Sequence, residues 1–89
     1  MKVIVTKKDI ANGKQRSYDQ CPIALALKRR CKARFVRVGP LRCLFSLTRW
    51  SWESTAYDLP RAATHFIMNF DEGRPVRPLT FHLDTKRQS

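Results

Sequence analysis

The sequence predicts an α+β domain in which helices pack on one face of a small antiparallel sheet, in the order β-α-α-β-β-β-α-β. Three observations predict it. Apolar and polar residues alternate at strand spacing in the stretches 33–38, 41–48, 49–57 and 77–84. The stretches that open on Pro22 and Pro60 carry apolar residues at helical spacing instead. With 89 residues, the chain buries only about 60–65% of its unfolded surface, too little to divide between two cores. One domain is expected over residues 1–84, with a polar tail at 85–89.

Lys2 to Val5 is a short run of β-formers. Thr6 follows as an N-cap with the Asp9 carboxylate three residues on, so a helical turn is expected there. Ile10 and Ala11 would face inward, and Asn12-Gly13 would close the turn in the left-handed conformation those residues tolerate. Lys14 to Gln20 reads as a polar loop. Cys21-Pro22 begins the second helix, because the N–H that proline lacks would be unpaired in the first turn anyway. Ile23, Ala26, Leu27 and Cys31 make its inward stripe, and Lys28, Arg29, Arg30 and Lys32 gather at its end, where cations complement the helix dipole.

Ala33 to Val38 places Arg34, Val36 and Val38 on one face and Phe35 and Arg37 on the other. Gly39-Pro40 turns the chain into Leu41–Thr48, where Leu41, Cys43, Phe45 and Leu47 alternate with Arg42, Leu44, Ser46 and Thr48. An antiparallel hairpin with one face on the core is expected. Arg49 to Tyr57 supplies a third strand. Asp58 or Leu59 caps the last helix, Pro60 occupies its first turn, and Ala63, Phe66, Ile67 and Phe70 form its apolar stripe. Gly73 stops it, and Arg77 to Asp84 is a half-buried strand with Leu79, Phe81 and Leu83 inward.

An apolar share of 43% with nine aromatics excludes disorder over most of the chain. No segment nears the roughly 20 apolar residues of a membrane span, and Lys7, Lys8 and Asp9 interrupt the apolar start. A soluble protein in the cytoplasm of the host cell, with no membrane partner, is expected. Charge is the strongest signal. The net charge is +11, and residues 1–49 carry thirteen Lys or Arg against Asp9 and Asp19, whereas residues 50–89 carry five against five. All of the excess lies in the first half, which implies an electropositive face and an acidic or polyanionic partner. A generally basic, well-solvated surface is the alternative.

Candidate chemistry is sparse. Cys21, Cys31 and Cys43 have gaps of ten and twelve, match no zinc spacing and are odd in number, so three reduced, mostly buried thiols are expected. His65, on the last helix beside its apolar stripe, and His82, on the outward side of the last strand, are the only histidines; either could meet a Cys in space, but each reads as a lone surface histidine. Asp71-Glu72 reads as a solvated helix end. The three glycines stand apart, so no phosphate-cradling loop is present. No enzyme, cofactor or metal is expected, and binding through charge remains. The expected site is Lys28, Arg29, Arg30, Lys32, Arg34, Arg37, Arg42 and Arg49, facing a host protein, a ribonucleoprotein complex, or DNA or RNA directly. Arg34 and Arg37 on an edge strand would also discourage aggregation. Trp50 and Trp52 share a strand face, so both stack on bases or both lie in the core.

The segments VTKKDIANGK, CPIALAL and LPRAATHFIMNFDEGRPVRPLTFHL resemble a group of small phage and prophage proteins of unassigned function. The matching positions are Val5, Ile10, Gly13, Cys21, Pro22, Ala24, Ala26, Phe70, Asp71, Gly73, Val76, Pro78, Phe81 and Leu83. They are turn glycines, helix-start proline and core aliphatics, so they carry over a fold and no active site. The resemblance implies a non-enzymatic inhibitor of host defence, such as an anti-CRISPR protein. It departs in the middle, where Lys28 to Arg42 is unusually basic, so the work of that segment need not be general to the group.

Overall fold

The structure is a computed structural model and describes residues 1–32, 36–46 and 54–84. Its elements follow the expected order: β1 (Lys2–Val5), α1 (Lys7–Asn12), α2 (Pro22–Cys31), β2 (Val36–Val38), β3 (Arg42–Phe45), β4 (Thr55–Asp58), α3 (Arg61–Asp71) and β5 (Leu79–His82). The class is α+β, but among the described residues the strands divide into two antiparallel sheets where one was expected. β1 pairs with β5, and β2-β3-β4 form the other sheet. The first pairing joins segments nearly eighty residues apart, with Val3 opposite Phe81 and Val5 opposite Leu79. No local pattern announces such a partner.

Helix α2 packs against both β1 and β2 and so links the two sheets. Its buried Ile23, Ala24, Ala26 and Leu27 join Val3 and Val5 of β1, Val36 and Val38 of β2, Cys43 and Phe45 of β3, Tyr57 of β4, Ala63, Phe66 and Ile67 of α3, and Phe81 and Leu83 in one core cluster. Phe45 lies tilted against Tyr57, with ring centroids 4.9 Å apart. Phe70 is the outer member of the α3 stripe, partly buried and stacked on Phe66. No helix among the described residues is long and apolar enough to cross a membrane.

The ends of the elements follow local chemistry. Thr6 caps α1 with its side chain accepting from the Asp9 N–H, while the Asp9 carboxylate accepts from the Thr6 N–H, a complete capping box. Cys21 caps α2, its sulfur accepting from the Ala24 N–H at 3.4 Å. Helix α3 begins at Arg61 with Pro60 in the cap position, one or two residues later than the expected Asp58 or Leu59 cap. The Leu59 N–H is held by the Leu41 carbonyl and continues the sheet contact to that point.

Several expected details differ. Gly13 is extended at φ −70°, not left-handed. The need for glycine there is steric, because a Cβ would stand 2.6 Å from Cδ and Cγ of Pro22. Ile10 is half-buried as expected, but Ala11 is exposed, since six residues of helix leave room for only one inward turn. Leu41 is 68% exposed because the turn at 39–41 precedes the strand pairing, whereas Ser46, expected outward, is buried. The left-handed conformation falls to Arg16 and Lys32 as well as Gly73. Lys32, at φ 53°, ends α2 with its N–H on the Lys28 carbonyl. A β-carbon is unfavourable there, so Lys32→Gly is expected to stabilise the fold by roughly 0.5–1 kcal/mol. Urea unfolding of the two proteins checks it, and an unchanged or lower midpoint counts against the assignment of that cap.

Candidate binding surface

The basic residues expected to form one face differ in what they touch. Arg29 reaches from α2 to the carboxylate of Asp9 in α1 with a two-pronged contact, Nη1 to Oδ1 at 2.6 Å and Nη2 to Oδ2 at 2.9 Å. Its Nη2 also donates to the carbonyl of Ile4 in β1 at 2.9 Å. One guanidinium therefore ties β1, α1 and α2 together. The Asp9 side chain is only 6% exposed, the Arg29 side chain 52%. Burial is the largest single influence on Asp9 and would raise its pKa. The Arg29 hydrogen bonds, the Thr6 bonds and the Arg29 charge together outweigh it and hold the carboxyl below its ordinary value.

Lys28 donates from Nζ to the Asp19 carbonyl at 2.6 Å and so anchors the loop before α2. Arg42 pairs through Nε with Asp58, its register partner on β4, at 2.9 Å. Both of those side chains are well exposed, so the pair is worth at most about 1 kcal/mol. Arg30 and Lys32 are exposed at the end of α2 and make no ion pair among the described residues. Arg37 is also exposed and lies over the ring of Tyr18, 5.3 Å from its centroid. Arg34 and Arg49 lie outside the described residues, as do Phe35, Trp50 and Trp52.

Strand alternation then decides what shares a surface. Val36, Val38, Cys43, Phe45 and Tyr57 face the core, so Arg37, Arg42, Leu44, Ala56 and Asp58 lie on the opposite face of the three-stranded sheet. Arg37 and Arg42 therefore project from the side of that sheet away from its core. Arg30 and Lys32 stand at the end of the helix that packs on the core. The exposed basic residues thus fall at two places in the fold, the outer face of the three-stranded sheet and the end of α2. Tyr18 was missed by sequence reasoning; its place in a polar loop hides that its carbonyl accepts from the Val38 N–H at 2.7 Å, which brings the ring beside β2.

The remaining candidate groups are separate from these surfaces. His65 is exposed on α3 and His82 on β5, and no thiol hydrogen-bonds to either among the described residues. No group of three or more His, Cys, Asp or Glu that could hold a metal is present among the described residues. All three cysteines are free thiols. Burial, reinforced by Cys31 and Asp58 nearby, pushes the Cys43 thiol up to about 12, and burial also raises Cys21 and Cys31. Since the thiolate is the reacting form, alkylation near neutral pH is expected to reach half-buried Cys31 before buried Cys21 and Cys43. Mass spectrometry of a timed iodoacetamide reaction reads that order, and early labelling of Cys43 would contradict the packing described here.

Asp71 sits at the end of α3 and accepts from the Arg16 backbone N–H at 2.8 Å, so its carboxylate has a structural task. Comparison of the chain with protein-family models, with curated proteins and with solved structures finds no match to any of them.

Proposed function

We propose that the chain is a non-enzymatic binding protein of the phage type, which inhibits a host defence, a CRISPR effector or a nuclease, by occluding a site through exposed cations. Its partner would be a host protein or ribonucleoprotein complex with an acidic or nucleic-acid surface, met in the cytoplasm of the host cell. The supporting observation is how the charges are used. In the first half of the chain, the Asp9 carboxylate is consumed by Arg29 and Thr6 and that of Asp19 accepts from Ser17. Lys2, Lys7, Lys8, Arg30, Lys32 and Arg37 stay exposed without a carboxylate among the described residues. Positive charge is thus left over at the surface, where it attracts and orients an anionic partner. The choice of host defence as the target draws on the resemblance.

Direct binding to nucleic acid is the second reading, favoured by Arg37 over exposed Tyr18. An aromatic ring beside a guanidinium is the kind of platform on which unpaired bases stack. Titration with random-sequence DNA and RNA at low and physiological salt separates the two. A direct binder should lose affinity with a slope of about 0.9 in log units per phosphate contact for each decade of salt. The defence-inhibitor reading expects protection of a targeted phage in a host that carries the defence and expresses this chain. No protection against any CRISPR or nuclease defence would overturn it.

A further inference from the structure

We propose that the open edge of β1 and the flank of α2 form a docking groove for an extended acidic segment of a protein partner, which would add as a third strand beside β1. The backbone pattern comes first. Met1 N donates to the Leu83 carbonyl at 2.6 Å and Leu83 N donates to the Met1 carbonyl at 2.8 Å, so these two residues are a hydrogen-bonded antiparallel pair. Alternation along the ladder makes Val3 with Phe81 and Val5 with Leu79 the next such pairs. The N–H and C=O groups of Lys2 and Ile4 therefore point away from β5, toward an edge that no strand among the described residues covers.

The Ile4 carbonyl already draws a donor on that side, the Arg29 guanidinium from α2. A carbonyl has two lone pairs, so an incoming N–H can share it. Beside this edge runs a groove of about 410 Å³ lined by Lys2, Ile4, Ala26, Arg29 and Arg30. It combines outward-pointing strand backbone groups, of which only the Ile4 carbonyl has a partner from α2, with an apolar contact from Ile4, which is 49% exposed, and the exposed charges of Lys2 and Arg30, all among the described residues. The Arg29 charge is balanced by Asp9, so the net character of the groove is cationic. Main-chain pairing at a sheet edge supplies affinity in this mode of recognition, and flanking side chains supply selectivity. Complementary charge selects carboxylates as those side chains. The inference stands apart from the host-defence reading, and either can fail alone.

The test uses a fluorescent short peptide that alternates glutamate and valine, titrated into the full chain and followed by anisotropy, with amide NMR spectra at saturation. Binding should perturb the amides of Lys2, Ile4 and Arg30. The same peptide with N-methylated backbone amides should lose binding, which isolates strand pairing from charge and does not depend on any protein variant. Lys2→Glu combined with Arg30→Glu should weaken binding about tenfold or more without lowering the melting temperature, because both side chains are exposed. Equal binding of the N-methylated peptide, absence of binding by the acidic peptide, or perturbation centred on Tyr18 and Arg37 would overturn the proposal. So would single-stranded RNA that engages the same β1 amides more tightly than the peptide.

Discussion

Arg29→Ala is expected to destabilise the protein by about 2–3 kcal/mol, although Arg29 is a half-exposed residue in a basic cluster. The loss comes mainly from what is left behind. Asp9 stays buried with Thr6 as its remaining hydrogen-bond partner among the described residues, and the Ile4 carbonyl loses its donor. Water can reach the vacated guanidinium site, which keeps the cost below that of a fully buried broken pair. Arg29→Lys should recover part of the loss, because a point charge cannot make the two-pronged contact. In a background of Asp9→Asn, the Arg29→Ala change should cost clearly less, and urea unfolding of the four proteins measures that coupling. Equal cost in both backgrounds would remove Asp9 as the reason.

The pH dependence follows with its sign fixed. The folded pKa of Asp9 is depressed, so its contribution to stability is fully present above the usual aspartate value of about 3.9 and is lost as pH falls through the folded value. The stability difference between the parent and Asp9→Asn should therefore shrink as pH falls below about 4. A difference that stays constant from neutral to acid pH would contradict the depressed carboxyl.

Phe45→Ala should have the larger effect, about 3–5 kcal/mol. The ring has no solvent exposure, stands in the central strand of the three-stranded sheet, and packs on Tyr57. Truncation removes the transfer energy of the ring, opens a cavity and ends an aromatic contact worth about 0.5–1.5 kcal/mol beyond its area. Total stability of a small domain is of order 5–15 kcal/mol, so the variant should be partly unfolded at moderate temperature. Phe45→Leu, which fills more of the space, should lose less. Melting curves decide it, and a Phe45→Ala protein that melts with the parent would place the core elsewhere.

What could be read from the sequence is what is encoded locally. The capping box at Thr6 and Asp9, the proline at the start of α2, the stripe of α3 and the alternation of Leu79, Phe81 and Leu83 each depend on neighbours within a few residues, and each element forms, the last two with ends shifted by one or two residues. The split into two sheets depends on the pairing of β1 with β5, a long-range choice that alternation does not specify. The task of Gly13 depends on Pro22, which the folded chain brings against it. The candidate surface was legible as charge but not as assignment. Arg29 and Lys28 looked like free cations because Asp9 and the Asp19 carbonyl, their partners, lie twenty and nine residues upstream. Arg30, Lys32 and Arg37 retain exposed charge, the first two at the end of α2 and Arg37 on the outer face of the three-stranded sheet.

The central claim is this division of labour between cations that hold the fold and cations that bind. Its most direct test is plating of a defence-targeted phage on hosts that express either the parent chain or the Arg30→Ser, Lys32→Ser, Arg37→Ser triple variant, with both purified proteins melted in parallel. The triple variant should keep its stability to within about 1 kcal/mol, since these exposed groups hold no buried partner among the described residues, and should lose the protection that the parent confers. A stable triple variant that protects as fully as the parent would contradict the claim.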